Sequence, residues 1–172
     1  AIMALCWYFC SGGKGGTTQI VLPYKDNLSL LANYLQQLIT ESLVKEEDLY
    51  GDKVNQGLAV LGNKGSTDQH SYVQQLVGGP SNVFVTFVSV LKDRVNSSTV
   101  IGEESTSGDY LNAFMLGTRS ALASHGKKSM SVTVQQANAY NIGQIIALFE
   151  RAVGIYAQLI HINAYAQPAV EF

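Results

Sequence analysis

The sequence predicts an α/β fold in which a mainly parallel sheet is flanked by helices on both faces. Four short runs read as strands, Gln19–Tyr24, Leu58–Leu61, Val83–Val90 and Ser129–Val134, and each is separated from the next by a segment with helical apolar spacing. Parallel strands need crossovers of that kind, so the alternation itself points to the architecture. Composition agrees: 47% of residues are hydrophobic and 14% charged, a balance that fills a packed interior rather than a disordered chain. At 172 residues the chain suits one domain, burying about 70% of the surface its unfolded form exposes. No internal repeat is visible.

Taken in order, Ile2–Phe9 is an apolar helical segment ended by Ser11-Gly12-Gly13. The cluster GGKGGTT around Lys14 lacks the order G-x-x-x-x-G-K-[ST] of a phosphate loop and reads as a flexible surface loop. Gln19–Tyr24 is a buried strand closed by Pro23. Asp26 is placed to cap a helix running to about Lys45, with Leu28, Leu31, Leu35 and Leu38 as its apolar stripe. Glu46–Gln56 reads as a polar connection turning at Tyr50-Gly51-Asp52. Val83–Val90, VFVTFVSV, is the strongest strand, because its residues are β-branched and aromatic. Arg94–Gly108, rich in Ser, Thr and Gly, reads as an exposed loop. Asp109 opens an amphipathic helix that ends near His125, a C-terminal partner for the helix dipole. Gln136 to Ile160 is apolar on several faces, one central helix or two joined, and His161 after it reads as a packing or capping residue. Asn163–Phe172 is an irregular tail with a turn at Gln167-Pro168.

Several functions are disfavoured at this level. A net charge of −2 and scattered lysines and arginines argue against nucleic-acid binding. No apolar stretch has the length of a membrane span, and no targeting signal is recognisable at the start. Cys6 and Cys10, four apart on a helix, read as core thiols of a reducing compartment, without partners at metal-ligand spacing. The chain opens without Met in mid-helix pattern and stops without a polar tail, which suggests a piece of something longer.

Two places stand out chemically. Gly62–Leu76, GNKGSTDQHSYVQQL, runs from a strand end through a loop into a helix with His70 in its first turn. Such a start, with a Ser, Thr or Asp cap, either holds a polar ligand on its free N–H groups or is an ordinary capped connection. Gln37 and Glu41 lie one helical turn apart on a polar face, Glu41 near the helix C-terminus, where the dipole disfavours an anion.

Seven stretches together resemble the glucose-6-phosphate isomerase (phosphoglucose isomerase) family in its cyanobacterial, plastid and chlamydial-like form. They are VLPYKDNL, YLQQLITES, LGNKGSTDQHSYVQQL, VFVTFVSVLKD, GKKS, NAYNIGQIIALFERAVGIYA and INAYAQPAVE, in the family's order. The resemblance is to the carboxyl-terminal part of a member, about a third of one, so residues 1–172 are expected to be the second of two three-layer sugar-isomerase (SIS-type) domains with part of the tail. It implies an aldose-ketose isomerase that interconverts glucose 6-phosphate and fructose 6-phosphate, a reaction of glycolysis and gluconeogenesis, in the cytoplasm or the plastid stroma. By the same resemblance Glu41 matches the base that moves a proton between C2 and C1. Gln37 and Gln167 match glutamines that contact the sugar phosphate. His70 matches the histidine that assists ring opening and is contributed across a homodimer interface.

The chemistry suits those residue types. After the ring opens, one carboxylate can take the C2 proton and return it at C1 through a cis-enediol, and a histidine titrates near enough to neutrality to serve the ring oxygen and O1. No metal or redox cofactor is required, and neither a nucleic acid nor a membrane is implied. The chain departs from the family pattern in its tail: Ala166 and Ala169 replace residues that are usually His or Asp and Gly, Phe172 is bulky, and the family's lysine seven positions past the matched glutamine would fall after Phe172. The phosphate-binding Ser/Thr loop and the G-G-R-[FY]-S segment belong to the family's amino-terminal portion. The resemblance therefore moves phosphate away from the helix at Thr67. The expectation is an inactive fragment of an isomerase. The rivals are a non-catalytic binding or interaction protein on the same fold and a sugar-phosphate sensor that would not need Glu41.

Overall fold

The computed structural model describes residues 1–94 and 99–170. In chain order its elements are α1 (Ile2–Ser11), β1 (Thr18–Pro23), α2 (Leu31–Leu43), β2 (Lys45–Glu47), β3 (Lys53–Gln56), β4 (Ala59–Gly62), α3 (Gln69–Gly78), β5 (Val83–Val90), β6 (Val100–Ile101), β7 (Ser105–Thr106), α4 (Ser107–Ser124), β8 (Ser129–Val134) and α5 (Ala139–Leu159). The four expected strands form one parallel sheet in the order β4-β1-β5-β8. Thr18 pairs with Ala59 on one side and Val83 on the other, and Val85 pairs with Ser129.

Side chains alternate across the sheet, so each central strand feeds two cores. Val21 of β1 and Phe84 and Val88 of β5 join α1, α2 and α5 around Trp7, Leu35, Ile39, Leu43, Phe149 and Tyr156. Ile20 and Leu22 of β1 and Val85 and Phe87 of β5 meet Leu76 of α3 and Met115 and Leu122 of α4 on the other face. The helices therefore lie α1, α2 and α5 on one side and α3 and α4 on the other. Each fully buried side chain of this size contributes about 1.5–3 kcal/mol against leaving it in water. In the larger core, the rings of Phe149 and Tyr156 lie 6.0 and 5.9 Å from Trp7, and the Ser11 and Tyr156 hydroxyls share a buried hydrogen bond of 2.8 Å.

Several expectations need correction. Asp26 does not cap a long helix: residues 26–28 form a tight 3₁₀ turn that tucks Leu28 into the core, α2 starts at Leu31, and the Asp26 carboxylate pairs with Lys64 at 2.7 Å. The buried stripe of α2 continues through Leu35, Ile39 and Leu43, with Leu38 only partly covered. The polar connection after α2 contains an antiparallel hairpin, β2 with β3, whose tip is the expected turn and whose Gly51 takes φ 85°. The glycine cluster is pinned, since Gly16 N–H donates to Gly57 O and Gly15 lies flat against the Gly57 backbone. Within the expected loop 94–108, β6 and β7 pair and α4 already begins at Ser107; residues 95–98 lie outside the described residues. Thr106 is the cap of α4, and Asp109, three residues on, returns the bond to complete a capping box. α5 is one helix, entered through an Asn138 cap on Asn141. Cys6 and Cys10 are half-buried, and Cys10 packs against the edge of the larger core.

Candidate active site

α2 carries Gln37 and Glu41 on its exposed face, one turn apart, while Leu35, Ile39 and Leu43 fix the other face in the core. Past α5 the chain turns at His161, at φ 58°, and runs back as a tail. There Asn163 Oδ1 accepts from Tyr165 N, and a 3₁₀ turn at Pro168–Val170 follows, Val170 N donating to Gln167 O. The tail thereby lays Gln167 beside α2, where its Nε2 donates to Glu41 Oε2 at 3.3 Å. Both side chains are exposed. Glu171 and Phe172, two positions of the expected signature, lie outside the described residues.

His70 stands elsewhere. Gly65 N–H donates to Pro23 O, and Gly65 lies so close to the Tyr24 ring that a methyl group there would collide with it. Ser66 takes φ 69°, and the Asp68 carboxylate accepts from Lys64 N at 2.9 Å, closing the loop instead of capping α3. The expected side-chain cap is thus replaced by a loop clasp. His70, second residue of α3, is exposed and lines a groove toward α4 with Val73, Val77 and His125. Since α2 and α3 cover opposite faces of the sheet, the fold brings Glu41 and Gln167 together, with Gln37 one turn away, and leaves His70 apart.

One residue was missed at the sequence level. Lys45, expected as the last residue of the helix, is 6% exposed and folds its ammonium back onto the α2 carbonyls. The available signal was a lysine directly after Val44, with no glycine to end the helix. Elsewhere, a cavity of about 450 Å³ opens at the carboxyl ends of β1 and β5. Its Lys25 and Asp93 are bonded to one another, and Ser107 donates to Asp93. Among the described residues no three His, Cys, Asp or Glu gather as metal ligands, and no helix is long and apolar enough to cross a membrane.

An open three-layer α/β protein with a carboxylate and an amide joined at one helix end is the class that this geometry defines. The chain belongs to the phosphoglucose isomerase family, whose profile matches residues 1–128. It is 61% identical over 171 residues to the glucose-6-phosphate isomerase of Desulfitobacterium hafniense, covering 99% of this chain and 32% of that protein. The enzyme of the same name from Nostoc punctiforme is 57% identical over the same shares. The chain thus spans about a third of the curated relatives it matches. A crystal structure of a glucose-6-phosphate isomerase from Chlamydia trachomatis superposes with a TM-score of 0.87 at 24% identity, over 98% of this chain and 35% of that one. A hypothetical protein from Thermus thermophilus gives 0.85 at 24% identity, over 98% and 41%. At that identity the two structures establish the fold.

Proposed function

We propose that this chain is the carboxyl-terminal sugar-isomerase domain of an enzyme that interconverts glucose 6-phosphate and fructose 6-phosphate. The observation that carries the reading is the contact between Glu41 and Gln167, which joins a helix end and a tail in one open polar site. In that site Glu41 accepts the C2 proton of the open-chain sugar and returns it at C1, with the cis-enediol between. Gln167 and Gln37 hold the carboxylate and the substrate hydroxyls. General acid-base steps of this type contribute roughly 10²–10⁴-fold each. His70, on the other face, serves ring opening in the site of a second copy, so the working unit is a homodimer. The compartment we propose is the cytoplasm. The exposure of Glu41 and Gln167 supports a further expectation: residues 1–172 alone leave the sugar uncovered and do not turn over.

The test is exchange of the C2 proton with solvent in the full-length enzyme. Glu41→Gln is expected to abolish it while the protein still folds. Retained exchange would remove Glu41 from the role of base.

A further inference from the structure

The last carbonyls of a helix have no intrahelical donors, and a left-handed glycine just past the end is the common remedy. α2 has none. Val44 follows Leu43 in extended conformation, φ −82° and ψ 114°, and the chain enters β2 after that one residue. Only the Val44 N–H turns back, to Thr40 O. One ammonium takes the place of the missing donors: Lys45 Nζ donates to Glu41 O at 2.9 Å, to Ser42 O at 2.8 Å and to Val44 O at 3.2 Å. A lysine has three N–H donors, and all three are used here on main-chain oxygens.

The counter-charge of Lys45 is thus the negative end of the α2 dipole. Burial pushes its ammonium below the usual lysine range. A nearly buried cation bonded only to carbonyls is a costly way to end a helix compared with an exposed turn, which points to a role in position rather than in packing. The rest of the hairpin points the same way. Lys45 pairs with Gln56 across β2 and β3, Gln56 Nε2 donates to Ile160 O, and Leu49 N–H donates to His161 O. One hairpin therefore grips the end of the helix that bears Glu41 and the start of the tail that bears Gln167.

We propose that Lys45 is a positioning residue for the isomerase site: by fixing the main-chain carbonyl of Glu41 against the β2–β3 hairpin, it sets the Glu41 carboxylate against Gln167. The proposal rests on the reading of Glu41 as the base. Lys45 touches neither substrate nor reacting atoms and acts through the last turn of α2.

In the full-length enzyme, Lys45→Met keeps the methylene stem and removes the donors. The expected result is a loss of about tenfold or more in kcat with KM within about twofold, and faster hydrogen exchange of the amides in the last turn of α2. Combined with Gln167→Ala, the loss should be smaller than the product of the two single losses, because both changes free the same carboxylate. Losses that multiply in full, or faster amide exchange with unchanged kcat, would overturn the proposal. If Lys45→Met does not fold, Lys45→Gln carries the same cycle with the same two outcomes. Failure of the base assignment is read separately, as C2-proton exchange that survives Glu41→Gln.

Discussion

Gln167 reaches Glu41 across 126 positions of sequence, its amide Nε2 lying 3.3 Å from the carboxylate Oε2. A hydrogen bond to a charged acceptor contributes about 1.5–3 kcal/mol when sheltered and less where both partners are exposed, as here. Gln167→Ala in the full-length enzyme is therefore expected to lower kcat/KM by roughly tenfold. Its unfolding midpoint in urea should stay where it was, since neither side chain belongs to a core. Initial-rate kinetics beside a denaturation curve check both halves.

Glu41 and His70 sit on helices that cover opposite faces of the sheet, and the proposed function takes them from two copies. Two inactive variants, Glu41→Gln and His70→Ala, should then complement one another. In a mixed dimer one site carries both substitutions and the other carries neither. With equal mixing and random reassociation, about a quarter of wild-type activity is expected to return. No recovery after verified subunit exchange would place both residues in one chain's site.

The pair of Lys25 and Asp93 ties the end of β1 to the segment after β5, with side chains 15% and 11% exposed. The hydrogen bond from Lys25 holds the Asp93 carboxyl below the usual carboxylate range, burial opposes it, and Ser107 assists. Because the folded value lies below the unfolded one, the stability it contributes is present above about pH 4 and fades as pH falls through the lowered value. Asp93→Asn should cost about 1–3 kcal/mol at neutral pH. The gap between variant and wild type should close in acid, measured by urea unfolding across that range. A gap that widens below about pH 4 would contradict the assignment.

Gly62, at the end of β4, lies directly under Ala32 of α2, and a methyl group there would overlap the Ala32 Cβ. Gly62→Ala should destabilise the fold by about 1–3 kcal/mol. Ala32→Gly in the same chain should recover part of that loss by vacating the space, a result that denaturant titration of the three variants would reveal.

The central strands were legible because burial on both faces makes them continuous apolar runs, as VFVTFVSV shows, the edge strand β8 because it alternates, and the two-sided packing followed from their spacing. The β2–β3 hairpin was not, because its residues are mostly polar and carry no alternation for a pattern to detect. Asp26 looked like a helix cap and Asp68 was one of the Ser, Thr and Asp residues open to cap the next helix, yet each carboxylate meets Lys64, one through the side chain and the other through the main chain, a competition that only the folded loop reveals. The position of Glu41 on a polar helix face was readable from spacing, whereas its contact with Gln167 depends on where α5 delivers the tail. Lys45 was counted as one more helical residue, since nothing local says that its side chain turns back.

Gln37, Glu41, His70 and Gln167 are all exposed, and none shares a core with the residues that hold the sheet together. Exposed substitutions away from caps and ion pairs usually change stability by no more than about 0.5 kcal/mol. On the proposed reading of those residues, chemistry and foldedness are therefore inherited separately in this chain. A lineage could lose or exchange its reactive groups one at a time and still inherit an intact scaffold, open to selection for other work.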